Sequence, residues 1–228
     1  APALGLTTGY DPRRDFEPIS LVASGYPLVL VPTNHRHTTL DALLRSNALP
    51  GGAVLTVGNA GVGSVQHLAA RQIETRTGLR MNHVPYVNAA QVMADLTGGH
   101  IDMAIEYASV AVPLLQSGRL RALAVLGPTR LPVLDNVPTA MEQGVRNIEA
   151  AAWLGMLAPA GTPSAEVSRL NTALHQVVKQ PEFEQWVTSN GSVVEAGTPP
   201  AFATLIKTEL ERWSALISTT GIRVNPVR

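Results

Sequence analysis

The chain of 228 residues is 45% hydrophobic and 15% charged, which suits a globular protein with a sizeable core, in one large domain or two small ones, and excludes disorder. Its 17 basic and 17 acidic residues cancel, so no basic field exists to hold nucleic acid or anionic lipid. No cysteine is present, which removes disulfides, thiolate nucleophiles and cysteine-ligated metals.

The predicted elements begin after turn signals at Gly9 and Asp11-Pro12, with a short strand over 19–23 and a buried strand over 27–32, Pro-Leu-Val-Leu-Val-Pro. Thr38 or Thr39 caps a short helix that runs to about Asn47. Pro50-Gly51-Gly52 turns the chain into a strand over 53–57, and a helix follows a glycine-rich turn as far as Thr77, with Gly78 as its C-terminal stop. A strand at 81–85 leads to a helix over 88–97 that ends at Gly98-Gly99. A strand at 101–105, a helix near 109–117 and a strand at 121–126 complete this series. Strand and helix thus alternate from 27 to 126, which implies a parallel sheet with helices on both faces.

Beyond 127 the character changes. Pro128, Pro132 and Pro138 mark a connection, and an extended apolar stretch runs from Ile148 to Ala158. Helix 164–179 is expected to bury Val167, Leu170, Leu174 and Val178. A helix from about Pro181 carries Phe183 and Trp186, and a third runs from about Pro200 to Thr219. This helical layer needs a sheet to cover, and little strand sequence remains to make one. The stretch 150–165 is the best candidate for a membrane span, but Gly155, Pro159, Gly161 and Pro163 interrupt it. The chain begins Ala-Pro-Ala without Met or a signal-type apolar segment, as expected of a processed chain or a fragment.

Ligands of open α/β sheets sit beyond the carboxyl ends of the strands, and the segments 58–64, 85–90 and 106–109 all follow predicted strands. At the first of these, an apolar strand runs into Gly61-Val62-Gly63-Ser64 and then a helix. Such a corner aims free backbone N–H groups and the positive end of a helix dipole at one point, suited to carboxylate or phosphate. Gly61 and Gly63 permit close approach, and Ser64 either caps the helix or donates its hydroxyl to a ligand. An ordinary βα turn has the same glycines. His67, one turn into the helix, reads as a ligand contact or a buried neutral histidine. Tyr86, Asn88, Ala89 and Ala90 form a second corner, where Asn88 caps and the two alanine amides can meet another carboxylate. Glu106 selects an amino group or a protonated acid, or else is a solvated strand end. His35 and His37 lack a third ligand for a metal. No nucleophile elbow, phosphate loop with lysine or His-Glu-x-x-His motif occurs. No catalytic residue, metal or cofactor is therefore assigned. An α/β enzyme on a small carboxylated substrate remains an alternative, with Glu106 and His67 as its acid–base pair, as does a truncated, non-binding remnant.

Several segments together resemble the substrate-binding receptors of tripartite tricarboxylate transporters, the Bug-type extracytoplasmic solute receptors. They are the run from Gly9 to Ala23 (Gly-Tyr-Asp-Pro-Arg-Arg-Asp-Phe-Glu-Pro-Ile-Ser-Leu-Val-Ala), Gly61 to Leu68, His83-Val-Pro-Tyr86, Asp95 to Asp102, Ser117 to Val125, Val137-Pro-Thr139 and Trp153 to Pro163. The resemblance covers essentially the whole chain. It implies a type II periplasmic-binding-protein-like α/β fold of two lobes joined by two crossover segments, near 20–32 and 144–156. Lobe two would span 27–145, and lobe one would contain 1–26 and 146–228. Lobe one is expected to be incomplete, because the family's N-terminal strand, glycine-rich loop and helices have no counterpart here. The resemblance further implies a small organic carboxylate as ligand (mono-, di- or tricarboxylate, or an acidic amino acid), delivery to integral-membrane permease subunits, a periplasmic location, a monomeric receptor and no catalysis. Trp153, in the second crossover, would wall the cleft or pack in the hinge. The chain departs from the family at Val62 and Ser64, commonly Asn and Thr, at Val87-Asn88, often Lys-Gly, and at Glu106, commonly Asp.

Overall fold

The computed structural model describes residues 9–48 and 52–222. The chain divides into two compact units, Gly25–Ala152 and the described parts of Ala1–Ser24 with Trp153–Arg228.

The unit formed by Gly25–Ala152 is built on a five-stranded sheet in the order β4-β3-β5-β2-β6. Its strands are β2 (Pro27–Pro32), β3 (Leu55–Asn59), β4 (Met81–Pro85), β5 (Met103–Tyr107) and β6 (Leu120–Val125). Between them lie helices α1 (Leu40–Ala48), α2 (Val65–Thr77), α3 (Ala89–Thr97) and α4 (Ala108–Gln116). Thr39 caps α1, its Oγ1 accepting the Ala42 N–H at 3.2 Å. At the other end of α2, Gly78 adopts φ 72°, which a side chain would strain, and returns its N–H to Glu74 O at 2.8 Å.

The sheet is mixed rather than parallel. β3 pairs in parallel with β4 and β5, but β2 is antiparallel to both its neighbours, β5 and β6. The apolar run of β2 is buried along nearly its whole length, as a central strand requires. Such a run carries no signal of direction. β2 enters this sheet straight from β1, with only Tyr26 between them, so no helical crossover constrains which way it points.

The Glu74 carboxylate fixes α2 to β4. Its Oε1 accepts the Met81 N–H at 2.6 Å, and its Oε2 pairs with Arg71 at 2.7 Å and with His83 Nε2 at 3.0 Å.

The other unit holds a three-stranded sheet, β7-β1-β8, of β1 (Phe16–Gly25), β7 (Ala152–Pro159) and β8 (Ser192–Val194). Three helices accompany it: α5 (Ser164–Val177), α6 (Pro181–Ser189) and α7 (Pro199–Thr220). The sheet that the helical layer needed is thus assembled from β1, the 152–159 stretch and a three-residue strand too short to stand out in the sequence. Asn171 Nδ2 ties α5 to β1 and to the start of α7, donating to Ile19 O and Gly197 O at 2.9 Å each. Phe202 of α7 is fully buried, with Trp153 edge-on against it at 5.5 Å between ring centroids. A side chain at Gly155 would collide with the Phe202 ring, which makes glycine necessary there. The expected burial of α5 is only partly realised: Val178 is buried, while Val167, Leu170 and Leu174 are half-exposed. A period-3.6 stripe shows which face turns inward but not how completely a neighbour covers it.

Candidate functional site

β3, β4 and β5 run in the same direction and end together, with Asn59 opposite Pro85 and Gly58 opposite Ala104. Each then passes into a helix. The N-termini of α2, α3 and α4 consequently gather along one edge of the sheet, and their dipoles present positive ends there. The first two corners approach closely: a Cβ at Gly61 would lie 3.9 Å from Tyr86 O.

In the β3–α2 corner the left-handed angles of Gly61 (φ 99°) and Gly63 (φ 84°) bend the loop tightly. Asn59 Oδ1 accepts the Gly61 N–H at 3.1 Å, and Ser64 N–H reaches Gly61 O at 3.2 Å. His67 Nδ1 accepts the Gly63 N–H at 3.1 Å. Ser64 performs the capping role, with Oγ accepting the His67 N–H at 3.1 Å and donating to Gly61 O at 2.8 Å. The cradle read from the glycines is therefore narrower than the sequence suggests, because the loop uses the amides of Gly61, Gly63 and Ser64 to hold itself. Among the described residues, no partner meets the N–H groups of Val62, Val65 and Gln66. The Val62 side chain is 49% exposed.

His67 is buried, and burial, with the neighbouring His83 and Arg71 charges adding, lowers its pKa to about 4. It is neutral at physiological pH and serves as a hydrogen-bond acceptor inside the loop.

In the β4–α3 corner Asn88 caps α3, with Oδ1 accepting the Gln91 N–H at 3.0 Å. The N–H groups of Ala89 and Ala90 have no partner among the described residues. Tyr86 is engaged elsewhere. Its N–H donates to Asn59 O at 2.9 Å and its hydroxyl to Asp95 Oδ2 at 2.7 Å. Burial, with the Asp95 hydrogen bond adding, pushes its pKa up to about 12.

Glu106 is not a solvated strand end. It is 2% exposed near the end of β5. Its Oε1 accepts from Gln66 Nε2 at 3.0 Å and from the Tyr107 N–H at 2.9 Å, whereas Oε2 is buried without a partner. Burial pushes the Tyr107 hydroxyl pKa upward, and the Glu106 charge adds to it. Asn59 is equally enclosed, and its Nδ2 is a second orphan, a donor. Asn59 and Gln66 were not singled out from the sequence. The available signal was polarity in the wrong place: an amide ending a buried strand and another in the first turn of a buried helix.

Gly61, Val62, Gly63, Ser64, Tyr86, Asn88, Ala89, Ala90 and Glu106 all lie at this sheet edge of one unit. Trp153 belongs to the other, in the ring contact with Phe202. His35 and His37 occupy the turn after β2, where His37 Nε2 meets Ser46 Oγ at 2.7 Å. A concave surface of about 590 Å³, lined by Glu17, Ser164 and Pro199 among others, carries none of the site residues.

A five-stranded sheet with one opposed strand in its interior, and helix N-termini along the carboxyl edge, defines the α/β architecture of type II periplasmic-binding proteins. Within that class, the chain belongs to the tripartite tricarboxylate transporter family receptors, whose profile matches residues 1–222. It is 32% identical over 217 residues to a UPF0065 protein encoded between tcbD and tcbE in Pseudomonas sp. strain P51, covering 95% of this chain and 64% of the relative. Identity to protein BugT of Bordetella pertussis is 31%, over 94% of this chain and 66% of BugT. The chain thus spans just under two thirds of the length of these relatives. Among solved structures, a TctC solute-binding protein from Polaromonas superposes with a TM-score of 0.85 at 27% identity, over 96% of this chain and 74% of that one. Rpa4515 of R. palustris, solved with adipate, gives 0.78 at 31% identity, over 95% and 72%. MatC of Rhodopseudomonas palustris, solved with malate, gives 0.72 at 28%, over 94% and 74%.

Proposed function

We propose that this chain is the ligand-capturing part of an extracytoplasmic receptor, which binds a small organic carboxylate and hands it to a membrane permease. The observation that carries this reading is the set of open first-turn amides, Val65 and Gln66 on α2 and Ala89 and Ala90 on α3, along one sheet edge. Four N–H donors backed by two helix dipoles match the oxygens of a carboxylate without any cationic side chain. The adipate and malate held by two structural neighbours support the same chemistry, and family membership supports the permease as partner and the periplasm as location. No helix among the described residues is long and apolar enough to cross a membrane. In this reading 27–145 is the lobe that presents the amides, and 1–26 with 146–228 belong to the other lobe. Receptor rather than enzyme is favoured by the state of the two acid–base candidates, since His67 is committed to Gly63 and Glu106 to Gln66 and Tyr107.

The test is a thermal-shift and calorimetric panel of mono-, di- and tricarboxylates against the purified chain. One or more members are expected to bind saturably, and at 100-fold excess over Kd to stabilise the fold by about 2.7 kcal/mol. Flat melting curves and no heat across the panel would overturn the reading.

A further inference from the structure

β6 forms one edge of the five-stranded sheet, and only half of that edge is closed. Towards the end of β6 the chain folds back along it: Val125 N–H donates to Pro138 O at 2.9 Å, Ala140 N–H to Val125 O at 3.0 Å, and Gln143 Nε2 to Leu123 O at 2.7 Å. Along Leu120–Ala122 no strand or bridge pairs on the outer side among the described residues. A groove of about 350 Å³ lies there instead, walled by Leu115, Leu134 and Val137, with Thr33 and Arg121 beside them. The charge around it is of one sign. Arg119 and Arg121 flank Leu120, and the turn after β2, which carries His35, Arg36 and His37, is tied to them. Thr33 N–H donates to Arg119 O at 3.3 Å, and Arg121 Nη1 lies 3.5 Å from His35 O. Arg36, Arg119 and Arg121 form no ion pair among the described residues. On the adjoining segments Asp41 is paired with Arg45 at 2.7 Å, and Arg130 Nη1 is held against Asp135 O at 3.0 Å.

We propose that the open half of β6 docks an extended acidic segment of a partner protein, which adds to the sheet as a further strand and sets its carboxylates against Arg119, Arg121 and Arg36. Backbone pairing supplies affinity, the groove takes alternate apolar side chains, and the arginines select the sign of the charge. A second copy of this edge is disfavoured, because it would bring the same arginines face to face. An anionic lipid surface would meet the arginines but use neither the strand edge nor the apolar groove beside it. β2 is antiparallel to both β5 and β6, so those two strands point the same way. Leu120, at the start of β6, therefore lies at the opposite end of the sheet from the strand-to-helix corners, and docking there is independent of what the corners bind.

Amide-resolved NMR titration of the full chain tests this with end-blocked peptides of about eight residues, the length of an ordinary strand. One alternates valine with glutamate, and a second has lysine in place of glutamate. Two further copies of the valine–glutamate peptide are N-methylated, one at every valine and one at every glutamate. The valine–glutamate peptide is expected to bind saturably, to shift the amides of 119–123, and to bind about tenfold more tightly than the lysine peptide. Alternate residues of a strand direct their N–H groups to opposite edges, so one methylated copy is expected to lose binding and the other to keep it. The double variant Arg119→Glu, Arg121→Glu is expected to reverse the preference between the acidic and basic peptides, with a circular-dichroism melt confirming that it is folded. Absence of binding by the valine–glutamate peptide, shifts confined to other parts of the chain, or equal affinity for the lysine peptide overturns docking at this edge. Identical behaviour of the two methylated copies, or an unchanged preference in the folded double variant, does so too. Co-sedimentation with phosphatidylglycerol vesicles in the absence of peptide binding assigns the arginines to a membrane surface and likewise overturns it.

Discussion

His67 Nδ1 accepts the Gly63 N–H at 3.1 Å, so a side chain in the first turn of α2 closes the loop that precedes it. The bond requires a neutral imidazole with its proton on Nε2. Burial has lowered the folded pKa to about 4 from an ordinary value of 6.5, and the sign of the linkage follows. Between these two values the unfolded chain binds the proton and the folded one does not. The contribution of this group is complete above about 6.5 and is lost as pH falls through the window towards 4. Urea unfolding at pH 7.5 and 5 is expected to show lower stability at the acid value. His67→Asn, which offers a carbonyl acceptor without the titration, is expected to show a smaller loss. An equal loss in both chains contradicts the assignment.

Proline can test the open amides one at a time. Val65 is the first residue of α2, where proline is tolerated, and the residue before it, Ser64 at φ −64° and ψ 158°, already has the conformation that proline demands of its predecessor. Ala89 stands in the same relation to Asn88, at φ −145° and ψ 155°. Val65→Pro and Ala89→Pro each delete a single donor and are expected to move Tm by only a few degrees, while carboxylate affinity falls by about tenfold, the equivalent of one charge-assisted hydrogen bond. Unchanged affinity in both variants would remove these amides from the site.

Tyr86 lies at the second corner, but its hydroxyl is committed to Asp95 Oδ2 at 2.7 Å. Tyr86→Phe is expected to lower stability by about 0.5–1.5 kcal/mol and to leave carboxylate affinity within about twofold. In the parent, ultraviolet titration of the phenols should include one that ionises at about 12, the value to which burial and the Asp95 bond have raised this group.

Gly155 is held against the Phe202 ring, and an added methyl has no room. Gly155→Ala is expected to destabilise the β7–α7 packing by about 1–3 kcal/mol, read as a lowered thermal midpoint. Combining it with Phe202→Leu, which frees space at the same contact, should recover part of the loss. Simple additivity of the two effects would place the clash elsewhere.

Features set by near neighbours along the chain can be read from residue order alone. Thr39, Ser64 and Asn88 cap their helices as their types and positions indicate, and Gly78 ends α2, because a cap is a contract between residues three or four apart. The three strand-to-helix corners were legible for the same reason, and with them the sheet edge along which they gather. Tertiary structure decided the rest. The direction of β2 and the pairing of β7, β1 and β8 depend on strands far apart in the chain, and no periodicity encodes them. Which amides stay open was settled by Asn59 and His67 reaching back into the loop. The burial of Glu106, and its bond to Gln66 some 40 residues away, arises only when β5 and α2 pack together. Hydrogen bonds and desolvation act through space, so the burial and half-partnered state of Glu106 are visible in the folded chain and not in the order of its residues.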